Sequence, residues 1–76
     1  MNGIEPVFQF TIYDHPRDYP DKFVVRAFAI FPGEVLASGE CILCDTLEEA
    51  REKIPPGLIC LPRAEGDDPV IVEVWI

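Results

Sequence analysis

Alternating apolar and polar residues occupy most of this 76-residue chain, and one short segment with helical spacing interrupts them. An alternation with a period of two places successive side chains on opposite faces of an extended strand. Proline- and glycine-containing segments separate the alternating runs. The predicted strands are residues 7–13, 22–31, 35–44, 58–61 and 70–76.

The segment 45–54 has the features of a helix N-terminus followed by an amphipathic turn. Asp45 with Glu48 three residues later matches a capping box, and Thr46 with Glu49 is the alternative register of the same motif. A single apolar stripe at helical spacing predicts that one face of this helix packs on a sheet. The stripe consists of Leu47, Ala50 and Ile54.

This order of elements predicts one domain over residues 1–76 with an α+β fold, β-β-β-α-β-β. The sheet is expected to be mostly antiparallel, with one short helix packed on one face. The first two strands should pair with each other. Segment 58–61 suits an edge because proline follows it, whereas 70–76 suits a central position because apolar residues dominate both of its faces.

One helix cannot cover both faces of a five-stranded sheet. The uncovered face is expected to include some of Val24, Phe28, Ile30, Leu36, Ile42, Ile71 and Trp75. We hypothesise that a second copy of the chain or another protein occupies this surface. The alternative is that sheet twist and long loops cover it.

The charge balance excludes several classes of partner. Fourteen Asp and Glu against six Lys and Arg give a net charge of -8, which disfavours nucleic acid and anionic membranes. A hydrophobic content of 49% argues against disorder. The chain shows no secretory signal or membrane-spanning segment, so we expect a cytoplasmic location. The expected partner is an unknown protein or a second copy of the chain.

The proline-rich, charged segment 14–21 is the strongest candidate for a functional loop, because its prolines restrict the backbone and its polar groups can make specific contacts. The alternative is a rigid hairpin connector in which Asp14 and Asp21 accept backbone N–H groups and Arg17 pairs with a carboxylate. A histidine beside acids can titrate near neutral pH, but no nucleophile accompanies it, so no catalytic residue is assigned. The candidate binding residues are Asp14, His15, Arg17, Asp18, Tyr19 and, outside the loop, Trp75.

The cysteines give only a weak indication of a metal site. Cys41 and Cys44 lie in an alternating run, where residues three apart point to opposite faces, so they are better explained as small structural residues. An odd number of cysteines without a signal sequence also favours free thiols. We expect no cofactor and no bound metal. The weak metal candidates are Cys41, Cys44, Cys60 and His15.

Several segments of the chain resemble a group of small bacterial proteins that has no assigned activity. Residues 11–26, TIYDHPRDYPDKFVVR, are similar to the opening of that group. The segments PPGL at 55–58, LPR at 61–63 and DDPVIVEVW at 67–75 are similar to it as well. The resemblance implies a bacterial origin and supplies no catalytic residue.

Three classes of function are compatible with these features. The favoured one is a non-enzymatic, acidic protein-interaction module that uses the 14–21 loop or an open sheet face. A nucleic-acid mimic would need a regular array of acids, whereas the acids here are spread over turns and the helix. A small metal-binding or enzymatic protein would use His15 with Asp18, or the cysteines. The sequence favours a non-enzymatic protein over an enzyme.

Overall fold

A computed structural model describes residues 5–76 as a five-stranded sheet with one short helix. Every pair of neighbouring strands is antiparallel, and the strand order is β3-β2-β1-β5-β4. The predicted α+β class and element order are confirmed. In chain order the elements are β1 (Val7–Asp14), β2 (Phe23–Phe31), β3 (Glu34–Cys44), α1 (Leu47–Glu52), β4 (Cys60–Pro62) and β5 (Ile71–Trp75).

The strand positions agree with the sequence patterns. β1 pairs with β2 as expected, and β4 is an edge strand, where the missing N–H of Pro62 breaks no ladder in the interior of the sheet. β5, which is apolar on both faces, lies between β1 and β4. The other edge is β3, whose eleven residues leave one side without a strand partner in the described part of the chain.

The helix begins in the alternative register of the capping box. Thr46 has an extended backbone, and its Oγ1 accepts a hydrogen bond from the Glu49 N–H at 3.1 Å. Of the two predicted registers, the one with Asp45 as the cap is wrong, and the Asp45 carboxylate pairs with Lys22. The helix has six residues, fewer than predicted. Within residues 5–76, no helix has the length and apolar character that a bilayer crossing requires.

The core lies between this helix and the sheet. Ile12, Val25, Cys44 and Ala50 form a buried cluster with exposed fractions of 2% or less. The two remaining residues of the predicted stripe, Leu47 and Ile54, pack against it. The stripe identified in the sequence is therefore the face by which the helix contacts the sheet.

β5 does not present its faces as its sequence alternation suggests. Ile12 pairs with Glu73 but Tyr13 pairs with Ile71, so Val72 is an extra residue in a β-bulge. Trp75 packs against the helix-side core, contrary to the expectation that it lies on the uncovered face. The bulge accounts for Val72 joining the same core.

The sheet is covered on both faces at one end only. Val24, expected on the uncovered face, is fully buried. The 14–21 segment lies over the face opposite the helix, because Asp18 pairs with Arg26, a neighbour of core residue Val25 that points the other way. β5 pairs with β1 only from Phe10 onward, so the far end consists of three strands. The molecule measures 44 × 26 × 23 Å.

Candidate functional site

Arg26 on β2 is the centre of the polar site formed by the 14–21 loop. Its Nη2 donates to the Asp18 carboxylate, and its guanidinium carbon lies 5.5 Å from the centre of the Tyr13 ring. Tyr13 is on β1 and Asp18 is in the loop. The cation therefore connects the loop to two adjacent strands of the sheet.

Two concave spaces adjoin this ion pair, and both include Asp18 and Arg26 in their walls. The larger has a volume of 320 Å³ and the smaller 160 Å³. The smaller one borders an irregular stretch of β3, where Ser38, Gly39 and Glu40 lie opposite the single residue Ala27. The larger is lined by Tyr13, Pro16, Arg17, Asp18, Arg26, Asp68 and Val70.

The electrostatics of the larger cavity are balanced. Two arginines, Arg17 and Arg26, and two aspartates, Asp18 and Asp68, line it, so their formal charges cancel. Arg26 Nε is buried without a hydrogen-bond partner. Partial burial raises the pKa of the Tyr13 phenol above its ordinary value. The cavity has the groups for polar contacts but no activated nucleophile.

Backbone hydrogen bonds close the loop as a compact connector. The His15 N–H donates to the Lys22 carbonyl at 2.9 Å, and the Tyr19 N–H donates to the Pro16 carbonyl at 3.0 Å. His15 has a φ of 50°, a left-handed conformation that few non-glycine residues adopt.

The backbone of the loop agrees with the rigid connector considered above, but the predicted side-chain contacts are wrong. Within residues 5–76 neither Asp14 nor Asp21 accepts a backbone N–H, since the Asp14 carboxylate pairs with the His15 ring. Arg26 rather than Arg17 pairs with a loop carboxylate.

The remaining candidate residues of the loop are not brought to one point. The His15 ring pairs with the Asp14 carboxylate beside it and contacts the Phe23 ring edge-on at 5.0 Å. Tyr19 lies at the smaller cavity, where the neighbouring Cys41 thiol raises the pKa of its phenol. Trp75, the candidate outside the loop, is on the helix side of the sheet.

The four weak metal candidates lie in separate places. Cys41 borders the loop, Cys44 is in the core, and Cys60 is exposed on β4. Burial raises the pKa of the Cys44 thiol, and partial desolvation together with the Glu73 carboxylate raises that of Cys60. Within residues 5–76, no three His, Cys, Asp or Glu side chains are grouped as a metal site requires.

The sequence did not indicate the most complete polar network, which is centred on Glu73. Its buried carboxylate accepts from Arg51 Nε at 3.0 Å and Nη2 at 2.8 Å, and from Trp75 Nε1 at 2.8 Å. Hydrogen bonding by Arg51 lowers the pKa of Glu73. The only signal in the sequence was one acid within the otherwise apolar run 70–76. Arg51 is on the helix and both Glu73 and Trp75 are on β5, so the network joins the helix to β5.

The second candidate site is apolar, and we call it the distal surface: residues 7–10, 27–31 and 34–37. It contains one charged residue, Glu34. Val7, Phe8, Val35 and Leu36 are 53%, 54%, 62% and 48% exposed. A groove of 340 Å³ crosses its helix-side face, lined by Phe8, Phe10, Ala27, Phe28, Ala29, Leu36, Ala37 and Ser38.

The strand register explains the shape of this groove. Phe8, Ala29 and Leu36 are paired across β1, β2 and β3, so their side chains point to the same face. The small alanine lies between the two large side chains and forms the floor.

Comparison of the chain with protein-family models, curated proteins and solved structures found no match.

Proposed function

We propose that this chain is a non-enzymatic protein-interaction module whose contact surface is the distal surface. The observation that supports this most directly is the exposure of large apolar side chains at one nearly uncharged end of the sheet. Phe8 and Leu36 are exposed on the helix-side face, and Val7 and Val35 are exposed on the opposite face. Exposed apolar clusters of this kind on small domains are typical of sites where another protein binds.

The distal surface is favoured over the 14–21 loop because the loop is bound to its own sheet. Asp18 is paired with Arg26, and His15 is paired with Asp14. The backbone of the loop is closed by the hydrogen bonds of Tyr19 and His15. A partner that used these polar groups would have to displace contacts that already exist, whereas the apolar side chains of the distal surface lose only water on binding.

The enzymatic and metal-binding alternative has less support. Its candidate groups are His15 with Asp18 and the three cysteines. Cys41 lies beside the loop, Cys44 is in the core and Cys60 is exposed on β4, so the three thiols are apart from one another. Asp18 points to Arg26 rather than to His15. General acid–base chemistry requires groups within hydrogen-bond reach of one reacting atom.

The proposal is tested by affinity capture from cells that express the tagged chain, followed by binding measurements with each captured protein in purified form. The distal variant Phe8→Lys/Leu36→Lys should lose captured partners. The loop variant Arg17→Ala/Tyr19→Ala and the surface control Leu43→Lys, which is 43% exposed in the wild type, should retain them. Circular dichroism establishes that each variant is folded.

Two results would contradict the proposal. Retention of every partner by the distal variant would place the contact elsewhere. Loss of the partners in the loop variant alone would move the contact to Arg17 and Tyr19. The untagged chain itself counts as a partner in this experiment.

A further inference from the structure

We infer that the partner of the distal surface is a second copy of this chain. The helix-side faces of the two distal surfaces pack against each other around a twofold axis. The inference rests on the proposed function and names the occupant of the same surface. It follows from the shape and the charge distribution of the distal surface, and the exposed area of the chain permits it.

The distal surface has the shape that a twofold contact requires. In such a contact, each copy must present both a projection and the recess that receives it. The Phe8 ring projects from β1, and Ala27 and Ala29 form the recess beside it on β2. Two copies related by a twofold axis can therefore place each Phe8 ring against the alanine floor of the other.

The charge distribution favours a neutral partner surface. The chain has a net charge of -8, yet only Glu34 among its charged residues belongs to the distal surface. A partner selected by charge complementarity would need acids at the contact. Joining two copies by their distal surfaces brings Glu5 and Glu34 near the contact. The acids of the 14–21 loop and of the helix lie at the outer ends of the two 44 Å molecules, and salt screens the repulsion between the copies.

The exposed area is close to what a dimer buries. The chain exposes 5293 Å². A compact monomer of the same mass exposes about 4,700 Å² according to the size scaling of folded proteins. The excess is roughly 600 Å² by that scaling, and a standard interface buries about 800 Å² on each partner. This excess belongs to the whole chain, since Ile59 and Leu61 outside the distal surface are also exposed. The area therefore permits a contact of dimer size, and the position of the contact rests on shape and charge.

Sedimentation equilibrium of the purified full chain, over a range of protein and salt concentrations, tests the inference. We expect a monomer–dimer equilibrium whose dissociation constant falls as salt rises, because salt screens the repulsion between two acidic copies. Phe8→Lys and Leu36→Lys should each raise the dissociation constant at least about tenfold. Leu43→Lys, on the same strand as Leu36 and similarly exposed, should leave it unchanged.

Lysine is the informative substitution because it makes an acidic chain less negative. A weaker dimer then reflects loss of the apolar contact rather than added repulsion between the copies. Circular dichroism shows whether each variant is folded. If a lysine variant unfolds, Phe8→Ala removes the ring without adding a charge and should also weaken the dimer.

Three results would overturn the inference. They are a wild-type monomer at all concentrations, a dimer that both distal lysine variants leave intact, and a dimer that weakens as salt rises. A wild-type monomer does not by itself contradict the proposed function. If the wild type is a monomer but Phe8→Lys/Leu36→Lys loses a different captured protein, the proposed interaction module is supported. Only the identification of the partner as a second copy is then rejected.

Discussion

The buried Glu73 carboxylate receives two hydrogen bonds from Arg51, at 3.0 Å from Nε and 2.8 Å from Nη2. The pair joins the helix to β5 across 22 positions of sequence. Its members differ in environment, since the side chain of Arg51 is 48% exposed and that of Glu73 is 7% exposed. Loss of Arg51 should therefore lower stability more than loss of Glu73. Without Arg51 the Glu73 carboxylate is a buried charge with little access to water, whereas without Glu73 the guanidinium remains hydrated.

Substitution at the two positions of this pair should have unequal effects on stability. Glu73→Gln should lower the free energy of unfolding by about 1 kcal/mol, since the amide still accepts one hydrogen bond. Arg51→Met should cost more, because it leaves a buried carboxylate without its cation. Urea denaturation of both variants measures the difference, and an equal loss would contradict this account of the pair.

The same carboxylate should make stability depend on acid pH. Its pKa in the folded chain lies below the ordinary value of 4.5, because Arg51 hydrogen-bonds the charged form. The resulting stabilisation is complete above the unfolded-state pKa and is lost as pH falls through the folded-state pKa. Urea titrations from about pH 7 to about pH 3 should show a shallower acid decline in Glu73→Gln than in the wild type. Identical declines would count against this assignment.

The register of the helix cap gives a matched pair of variants. Thr46→Ala removes the oxygen that accepts from the Glu49 N–H and should cost about 1 kcal/mol. Asp45→Ala removes only an exposed pair with Lys22 and should change stability little. Thermal denaturation compares the two. The opposite ranking would restore Asp45 as the cap.

The same Ile→Val substitution should have different effects on stability at a core position and at an edge position, because the two positions differ in burial. Ile12 is fully buried at the centre of the core, whereas Ile42 is 42% exposed on β3. Ile12→Val should cost about 1 kcal/mol, because it leaves a small void among packed side chains. Ile42→Val should cost much less by urea denaturation. Equal costs would show that the core is not centred on Ile12.

The Arg26–Asp18 pair should hold the 14–21 loop on the sheet. Arg26→Lys keeps the charge but loses the planar guanidinium that reaches both Asp18 and the Tyr13 ring. Amide hydrogen exchange at Tyr19, whose N–H donates to the Pro16 carbonyl, should become faster. Arg17→Lys, at a residue that lines the same cavity but takes no part in the pair, should leave this exchange rate unchanged. If the exchange rate at Tyr19 stayed unchanged in Arg26→Lys, the order of the loop would not depend on the ion pair.

Local patterns were enough to predict the fold class, because strands and the helix are specified by periodicity and turn residues. The alternation of Phe8, Phe10 and Ile12 identified β1, and the spacing of Leu47, Ala50 and Ile54 identified the buried helix face. The capping register was ambiguous because both Asp45 and Thr46 have an acid three residues later. The choice depended on Lys22, which is distant in sequence.

The site was less predictable than the fold because its contacts join distant segments. Composition identified the 14–21 loop as a special segment, but the cation that binds it, Arg26, lies in an otherwise apolar strand. The bulge at Val72 is not visible in the alternation of β5, so the expected face of Trp75 was wrong. The periodicity of a sequence predicts which segments are strands or helices. The Arg26–Asp18 contact and the Val72 bulge depend instead on how distant segments pair.

The three residues of β3 opposite Ala27 also affect what the chain can form at high concentration. Ser38 Oγ accepts from the Glu40 N–H at 3.2 Å, so this backbone donor is already occupied within the strand. An edge with an interrupted row of donors and acceptors is a poor template for adding further strands. The irregularity at Ser38–Glu40 should therefore oppose open-ended fibril growth, although apolar residues flank it on both sides.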